Sequence, residues 1–275
     1  MVNNMIENEI KEKIKCSIIN ANSRINKEIK PFIDNYSGPF SNVLQDNYHV
    51  SSSKGLPLCQ DTGMVEFFCF LGTNFPLKKP LQDVLDEAVS EVYKNFPFRY
   101  STVDDPLFKR KNRMDNTPAI VHVHMIEGRG LEIKFLIKGG GSENLSRLYM
   151  MTPSASKEEV VEQIVSHIEE TGARACPPLK VGIGLGGTSE KAMLLSKLAL
   201  TSSNSKHHDD PRYANLEEEI NNRINKLNIG FQGLREGISC YSVHILTHPT
   251  HIATLPLAIS VDCYLCRTGG VFFES

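Results

Sequence analysis

The chain has 275 residues and a mass of 30.7 kDa, 40% hydrophobic and 23% charged, enough to bury about three quarters of its unfolded surface without staples. Thirty Lys and Arg against 32 Asp and Glu leave a net charge of −2, which excludes a nucleic-acid or membrane-surface protein driven by bulk charge. No apolar run approaches the ~18 residues of a membrane span, and the polar opening MVNNMIENEIKEKIK has no signal or transit character, so the expectation is a soluble cytoplasmic protein.

Residues 3–35 predict one or two amphipathic helices, because Ile6, Ile10, Ile14, Ile18 and Ile19 recur at helical spacing among Glu, Lys and Asn. Residues 47–54 read as a polar connection into LPLCQDTGMVEFFCFLG, where a QDTG turn precedes a buried strand over 64–71. A helix is expected over 81–96. Residues 99–118 are polar, carry two prolines and predict a long loop, of a length that in compact domains is usually functional or disordered. Residues 119–125 and 131–137, separated by EGRG, predict a hairpin.

The glycine-rich KGGGSEN at 138–144 closes that hairpin. A helix follows over 157–172, with Val160, Val161, Ile164, Val165 and Ile168 as its stripe and Gly172 as its stop. ACPPLKVGIGLGGTSEKAMLLSKLAL at 175–200 reads as a short strand, a glycine turn and an apolar helix capped by Thr188 or Ser189. Residues 201–215 read as a mobile surface loop, 216–227 as a polar helix, and 254–263 as the apolar core of a closing strand region. No interior linker divides the chain. The expected fold is one α/β (α+β) domain over 1–275, a mixed β-sheet flanked by helices.

Two features invite a chemical reading. Gly182-x-Gly184-x-x-Gly187 matches the dinucleotide fingerprint, yet no second strand ending in Asp or Glu follows about twenty residues on. The plain reading is a tight turn with close helix–strand packing; a third is an anion site at a helix N-terminus. The seven cysteines are odd in number and scattered, which argues against a disulfide framework. Cys59 and Cys176 lie in turn contexts beside polar residues, Cys69 lies inside an apolar strand, and Cys16 and Cys240 look structural. Cys263-x-x-Cys266 is a lone pair and weak support for zinc.

LPLCQDTG at 56–63, DPLFKRKNRMDNTPA at 105–119, KGGGSEN at 138–144, ACPPLKVGIGLGGTSEKAMLLSKLAL at 175–200 and HIATLPLAISVDC at 251–263 together resemble the iron–sulfur hydro-lyases, the class I fumarate hydratases and L(+)-tartrate dehydratases. The resemblance implies a [4Fe–4S] cluster held by Cys59, Cys176 and Cys263, with one iron lacking a protein ligand. That iron would act as a Lewis acid in the reversible dehydration of a small 2-hydroxy dicarboxylate, malate to fumarate or tartrate to oxaloacetate. A nucleotide-binding oxidoreductase or binding module built on the 182–187 turn is the alternative.

The resemblance also implies substrate contacts from Gln60, Asp61, Arg99, Gly140, Gly141, Ser142 and Asn144, with Asp61 and His251 in catalytic roles. Each has a plain reading beside it. Asp before Thr-Gly is a common turn former, Arg99 fits a solvated loop, the glycines fit a flexible strand end, and His251 fits a core histidine, with His248 three positions earlier as its competitor. Two departures stand out: Met114 occupies a place where the family has glycine, and Cys266 one where a small residue is usual. The chain stops twelve residues after Cys263, where one-chain relatives continue into a second domain. The resemblance therefore implies an α subunit that needs a β subunit for its general base, as a homodimer or an α2β2 assembly.

Overall fold

A computed structural model describes residues 5–274, which form two compact units. The first comprises residues 5–26, Leu44–Gly139 and 267–274; the second comprises Lys27–Val43 and Gly140–Cys266. Both combine helices with a mixed sheet, so the fold class is as expected, with the strands shared between two sheets. Of the 3–35 helical expectation, residues 3 and 4 lie outside the described residues.

In the first unit, β1 (Met64–Gly72) is central, β2 (Ile120–Ile126) pairs with it in parallel and β3 (Leu131–Lys138) antiparallel, and β8 (Thr268–Phe273) closes the order β2-β1-β3-β8. The expected hairpin of 119–125 with 131–137 is thus corrected: β1 lies between its two arms. Val65, Phe67, Phe68 and Cys69 are all buried, and a strand this apolar is most stable with a paired neighbour on each side. The 127–130 loop arches over its end, its Gly130 and Gly128 carbonyls accepting the N–H groups of Gly72 and Asn74, while Thr73 donates to the last carbonyl of β2, Ile126. Helices α1 (Met5–Ser23) and α4 (Leu81–Asn95) cover one face. Ile10, Ile14 and Ile18 of the expected stripe are fully buried there against Val84, Leu85, Val89 and Val92, each contributing about 1.5–3 kcal/mol. Residues 41–54 form a helix, α3 (Ser41–Lys54), which takes in the 47–54 stretch expected to be only a polar connection; Leu44, Tyr48 and Ser51 are its buried residues, too few and too polar for the pattern to show.

The second unit contains α2 (Lys30–Asp34), α5 (Gly140–Glu143), β4 (Arg147–Met151), α6 (Lys157–Thr171), β5 (Leu179–Gly186), α7 (Ser189–Ala199), α8 (Pro211–Lys226), β6 (Cys240–His248) and β7 (Leu255–Asp262). Its sheet has the order β4-β7-β5-β6, with β5 parallel to β6 and antiparallel to β7. Helix α6 begins with a capping box between Ser156 and Glu159. Gly172 does not stop it in a left-handed turn: its φ is −59°, the chain continues into a 3-10 turn over Gly172–Ala175, and Cys176 takes the left-handed conformation. Residues 211–215 belong to α8 rather than to a loop, because Asp210 caps the Arg212 N–H and Pro211 opens the helix.

Helix α7 explains the glycine motif. Gly182 and Gly184 lie inside β5, paired with Ser260 and Ala258 of β7, and small residues on the helix, Ala192 and Ser196, meet them. A Cβ on Gly184 would stand 1.9 Å from the Ala192 carbonyl oxygen, and one on Gly182 2.0 Å from that of Ser196. Ser196 and Ser260 share a hydrogen bond of 2.9 Å across this contact. The glycines thus admit a helix backbone, not a pyrophosphate.

Buried polar groups here predict a pH response. Burial first, and then the Lys180 ammonium, push the pKa of His244 down to about 4. An unfolded histidine takes up a proton below about pH 6.5, so stability is fully present above that pH. It falls as the pH drops from about 6.5 to about 4, by on the order of 3 kcal/mol, and is flat below. His244→Asn should lose this part of the pH dependence, checked by unfolding midpoints at pH 7 and pH 5.

Candidate functional site

The turn carrying Cys59, Gln60 and Asp61 connects α3 to β1 and is tied down from four directions. Upstream, Leu58 is buried, with its N–H on the Asn22 carbonyl at 2.7 Å. The Arg267 guanidinium, itself 4% exposed, donates to the Asp61 carbonyl at 2.6 Å and to Asn22 Oδ1 at 3.1 Å. The Tyr93 hydroxyl donates to the Thr62 carbonyl at 2.5 Å, and Asn116 Nδ2 to that of Gly63 at 2.8 Å. Gly63 has φ +69°, and a Cβ there would stand 2.7 Å from the Lys138 carbonyl, so the turn requires glycine. Turn chemistry accounts for one Asp61 oxygen, since Oδ1 accepts the Gly63 N–H at 3.0 Å. Cys59 and Asp61 remain half-buried and Gln60 exposed, with Cys59 Sγ 3.4 Å from Gln60 Oε1.

Arg99 lies at the root of the long loop. Its carbonyl accepts the Thr62 hydroxyl at 2.9 Å, while its side chain is exposed. Cys59, Gln60, Asp61 and Arg99 therefore share one locus of the first unit. Residues 99–118 are irregular as expected, apart from a bridge between Val103 and Asn112. Met114 is 57% exposed with φ +63°, the left-handed conformation that favours glycine. Met114→Gly should therefore stabilise the protein by about 1 kcal/mol, raising the midpoint of thermal unfolding by about 2–4 °C.

In the second unit the register of β5 with β7, Lys180 opposite Asp262, sets Cys176 and Cys263 at the same end of the sheet. The Tyr264 N–H donates to the Cys176 carbonyl at 3.1 Å. Cys176 is exposed with φ +50°, and Cys263 is half-buried, its N–H on Asp262 Oδ1 at 2.9 Å. Gly140, Gly141, Ser142 and Asn144 form the single turn α5 and its end, closed by the Asn144 N–H on the Gly140 carbonyl at 3.0 Å; Ser142 is buried and the other three are exposed or nearly so. A Cβ on Gly141 would meet the Arg174 carbonyl only at 4.0 Å, which places α5 beside the 3-10 turn that precedes Cys176.

His251 is not brought to that end. It sits in the turn between β6 and β7, its Nδ1 accepting the Ala253 N–H at 3.1 Å. The eight residues of β7 separate it from Cys263 by about 25 Å. There it borders an open hollow of about 820 Å³, with His248, Lys191 and the first turn of α7.

The remaining cysteines differ in environment. Burial pushes the thiols of Cys69 and Cys240 up to about 12, Cys266 is buried beside Tyr241, and Cys16 faces outward on α1. No described cysteine is in a disulfide. Among the described residues, no three His, Cys, Asp or Glu side chains converge to hold a single metal ion. A four-iron cube places its thiolate ligands on different irons and spreads them more widely than one ion does. Taken singly, Cys59, Cys176 and Cys263 have the chemistry and access of such ligands: each is a thiol at a turn or strand end, and none is deeply buried. Arg267, Tyr93 and Asn116, which hold the Cys59–Gly63 turn, were not singled out as functional in the sequence; only the position of Arg267 beside Cys266 hinted at its place.

Comparison with known proteins gives a consistent result. Residues 8–271 match the family described as fumarate hydratase (Fumerase). The chain is 33% identical over 229 residues to the L(+)-tartrate dehydratase subunit alpha of Escherichia coli and to that of Shigella boydii, covering 82% of this chain and 76% of theirs. It is also 33% identical over 232 residues to the putative L(+)-tartrate dehydratase subunit alpha of Methanocaldococcus jannaschii, covering 82% of this chain and 81% of that one.

Proposed function

The chain belongs to the fumarate hydratase (Fumerase) family, and from that premise we propose how its residues serve a hydro-lyase α subunit acting on a small 2-hydroxy dicarboxylate. The observation that carries the reading is the 33% identity to L(+)-tartrate dehydratase α subunits over 82% of the chain; it favours L-tartrate, going to oxaloacetate, over malate. The nucleotide-binding alternative is set aside, because the glycines it needs are occupied by the α7 backbone.

Cys59, Cys176 and Cys263 hold a [4Fe–4S] cluster in this reading. The cluster, when bound, supplies a Lewis acid at an iron without a protein ligand, able to take up a substrate carboxylate and hydroxyl. Arg99 grips a carboxylate through its planar guanidinium fork, and Gln60 donates its amide N–H to the same end. Backbone N–H groups of Gly140 and Gly141, with Ser142 and Asn144, orient the substrate. Asp61, its carbonyl clamped by Arg267 and its carboxylate oriented by the Gly63 N–H, serves to orient and protonate the departing hydroxyl. His251 belongs to the same network. Its place about 25 Å along β7 from Cys263 supports a role in the site of a second copy, the chemical purpose of a homodimer or α2β2 assembly in this reading.

The chain, residues 1–275 as one α-subunit domain, leaves the general base to a β subunit, as the relatives' names support. No described helix is long and apolar enough to cross a membrane, and cysteines without disulfides suit a reducing cytoplasm. The test is an anaerobic assay of the cluster-reconstituted chain, with and without its β subunit, against L-tartrate, D-tartrate, malate and citramalate. L-Tartrate should be turned over only with both chains, the α chain alone being slower by about 10²–10⁴-fold for want of the base. Equal rates without the β subunit would place the base in this chain and overturn that division.

A further inference from the structure

We propose that Cys263 and Cys266 form a reversible redox pair, in which peroxide oxidises Cys263 in the cluster-free chain and Cys266 resolves it as a disulfide. The inference deepens the cluster reading above, since it concerns the fate of one proposed ligand. The pair itself stands on geometry within the second unit.

The Cys266 N–H donates to the Cys263 carbonyl at 3.1 Å. This i to i+3 bond closes a four-residue turn and holds the two Cα atoms within about 7 Å. Disulfides span about 4.4–6.8 Å between Cα atoms, so closure needs local side-chain movement rather than unfolding. The turn is fastened at its edges: the Cys263 N–H is held by Asp262 Oδ1 at 2.9 Å, and the Tyr264 N–H by the Cys176 carbonyl at 3.1 Å. Access divides the roles. Cys263 is half-buried and open to a small oxidant, whereas Cys266 is 1% exposed, shielded beside Leu265 and Tyr241. An accessible thiol with a sheltered neighbour is the arrangement of a thiol that forms sulfenic acid and is then resolved.

The chemistry balances with hydrogen peroxide as oxidant. The Cys263 thiolate attacks one peroxide oxygen, the O–O bond breaks, and the released hydroxide takes a proton and leaves as water, giving Cys263 sulfenic acid. The Cys266 sulfur then attacks the Cys263 sulfur, the S–O bond breaks, and a second water leaves. Two thiols supply the two electrons that reduce one peroxide. Without the resolving thiol, a second peroxide carries Cys263 to sulfinic acid, which a dithiol does not reverse.

The experiment uses the whole chain, freed of iron by a chelator under nitrogen, treated with hydrogen peroxide and then alkylated. Fragmentation of the tryptic peptide ending at Arg267 should show a two-hydrogen mass loss shared by Cys263 and Cys266, reversed by dithiothreitol. In a parallel sample left unalkylated and then reduced with dithiothreitol, wild type should recover its reconstituted cluster absorption, while Cys266→Ser should keep sulfinic acid at Cys263 and recover only a minor part. Alkylation of both thiols, a Cys176–Cys263 cross-link, or recovery by Cys266→Ser equal to wild type would each overturn the proposal. A chain that forms the 263–266 disulfide yet takes up no cluster would sink the cluster reading and leave the redox pair standing.

Discussion

Replacing Cys59, Cys176 or Cys263 by alanine is expected to abolish the broad visible absorption of the cluster and the dehydratase activity together. Cys69→Ala and Cys240→Ala should leave both in place. The contrast follows from the thiols' surroundings. A cluster ligand is a thiolate; with thiol pKa values of about 12, Cys69 and Cys240 are ionised in only about one molecule in 10⁵ at neutral pH. Cys59, Cys176 and Cys263 lie at turns or strand ends with water at hand. Losing the Lewis acid removes several kcal/mol of transition-state stabilisation, a fall of about 10³-fold or more in kcat. Absorption and iron content of the anaerobically reconstituted variants are the measurement. A full cluster in any of the three alanine variants would remove that cysteine from the ligand set.

Gly184→Ala is expected to cost so much stability that little folded protein is recovered. The new methyl would stand 1.9 Å from the Ala192 carbonyl oxygen and 2.8 Å from the Ser196 nitrogen. Both are backbone atoms of α7, so no side chain can swing aside. To reach even 3.0 Å, the helix must retreat by roughly 1 Å, which opens its contacts with β5 and β7. Overpacking typically costs about 1–3 kcal/mol, and this rigid case lies at or above the top of that range, against a total stability of about 5–15 kcal/mol. Gly182→Ala, 2.0 Å from the Ser196 carbonyl oxygen, should behave alike. Soluble yield and thermal unfolding report the effect; wild-type stability in Gly184→Ala would show that the glycines serve something other than helix approach.

How far the sequence reaches depends on the range of the interactions involved. The isoleucine stripe of α1, the capping box of α6 and the buried run of β1 follow from neighbours a few residues apart, and they are legible without a structure. So are the candidate site residues other than Arg99, through the five motif blocks. The strain at Met114 is legible too, because the left-handed φ there is the conformation that a glycine in the family pattern provides for.

What only the tertiary structure decided are pairings between distant segments. Periodicity shows that 119–125 and 131–137 are strands, but not that β1 separates them, since the energy of that insertion is buried area and ladder bonds shared among three segments. The glycines of β5 match a fingerprint in the sequence, and only the approach of α7 reveals which backbone they admit. The clamp of Arg267 on Asp61 joins residues 206 positions apart, and no local pattern encodes it. The distance from His251 to Cys263 is set by the extended length of β7. Local propensity and motif chemistry determined the elements and the candidate site residues of this protein; strand order, helix approach and the separation of His251 from Cys263 along β7 were decided by long-range packing, which depends on surfaces that meet only once the chain has folded.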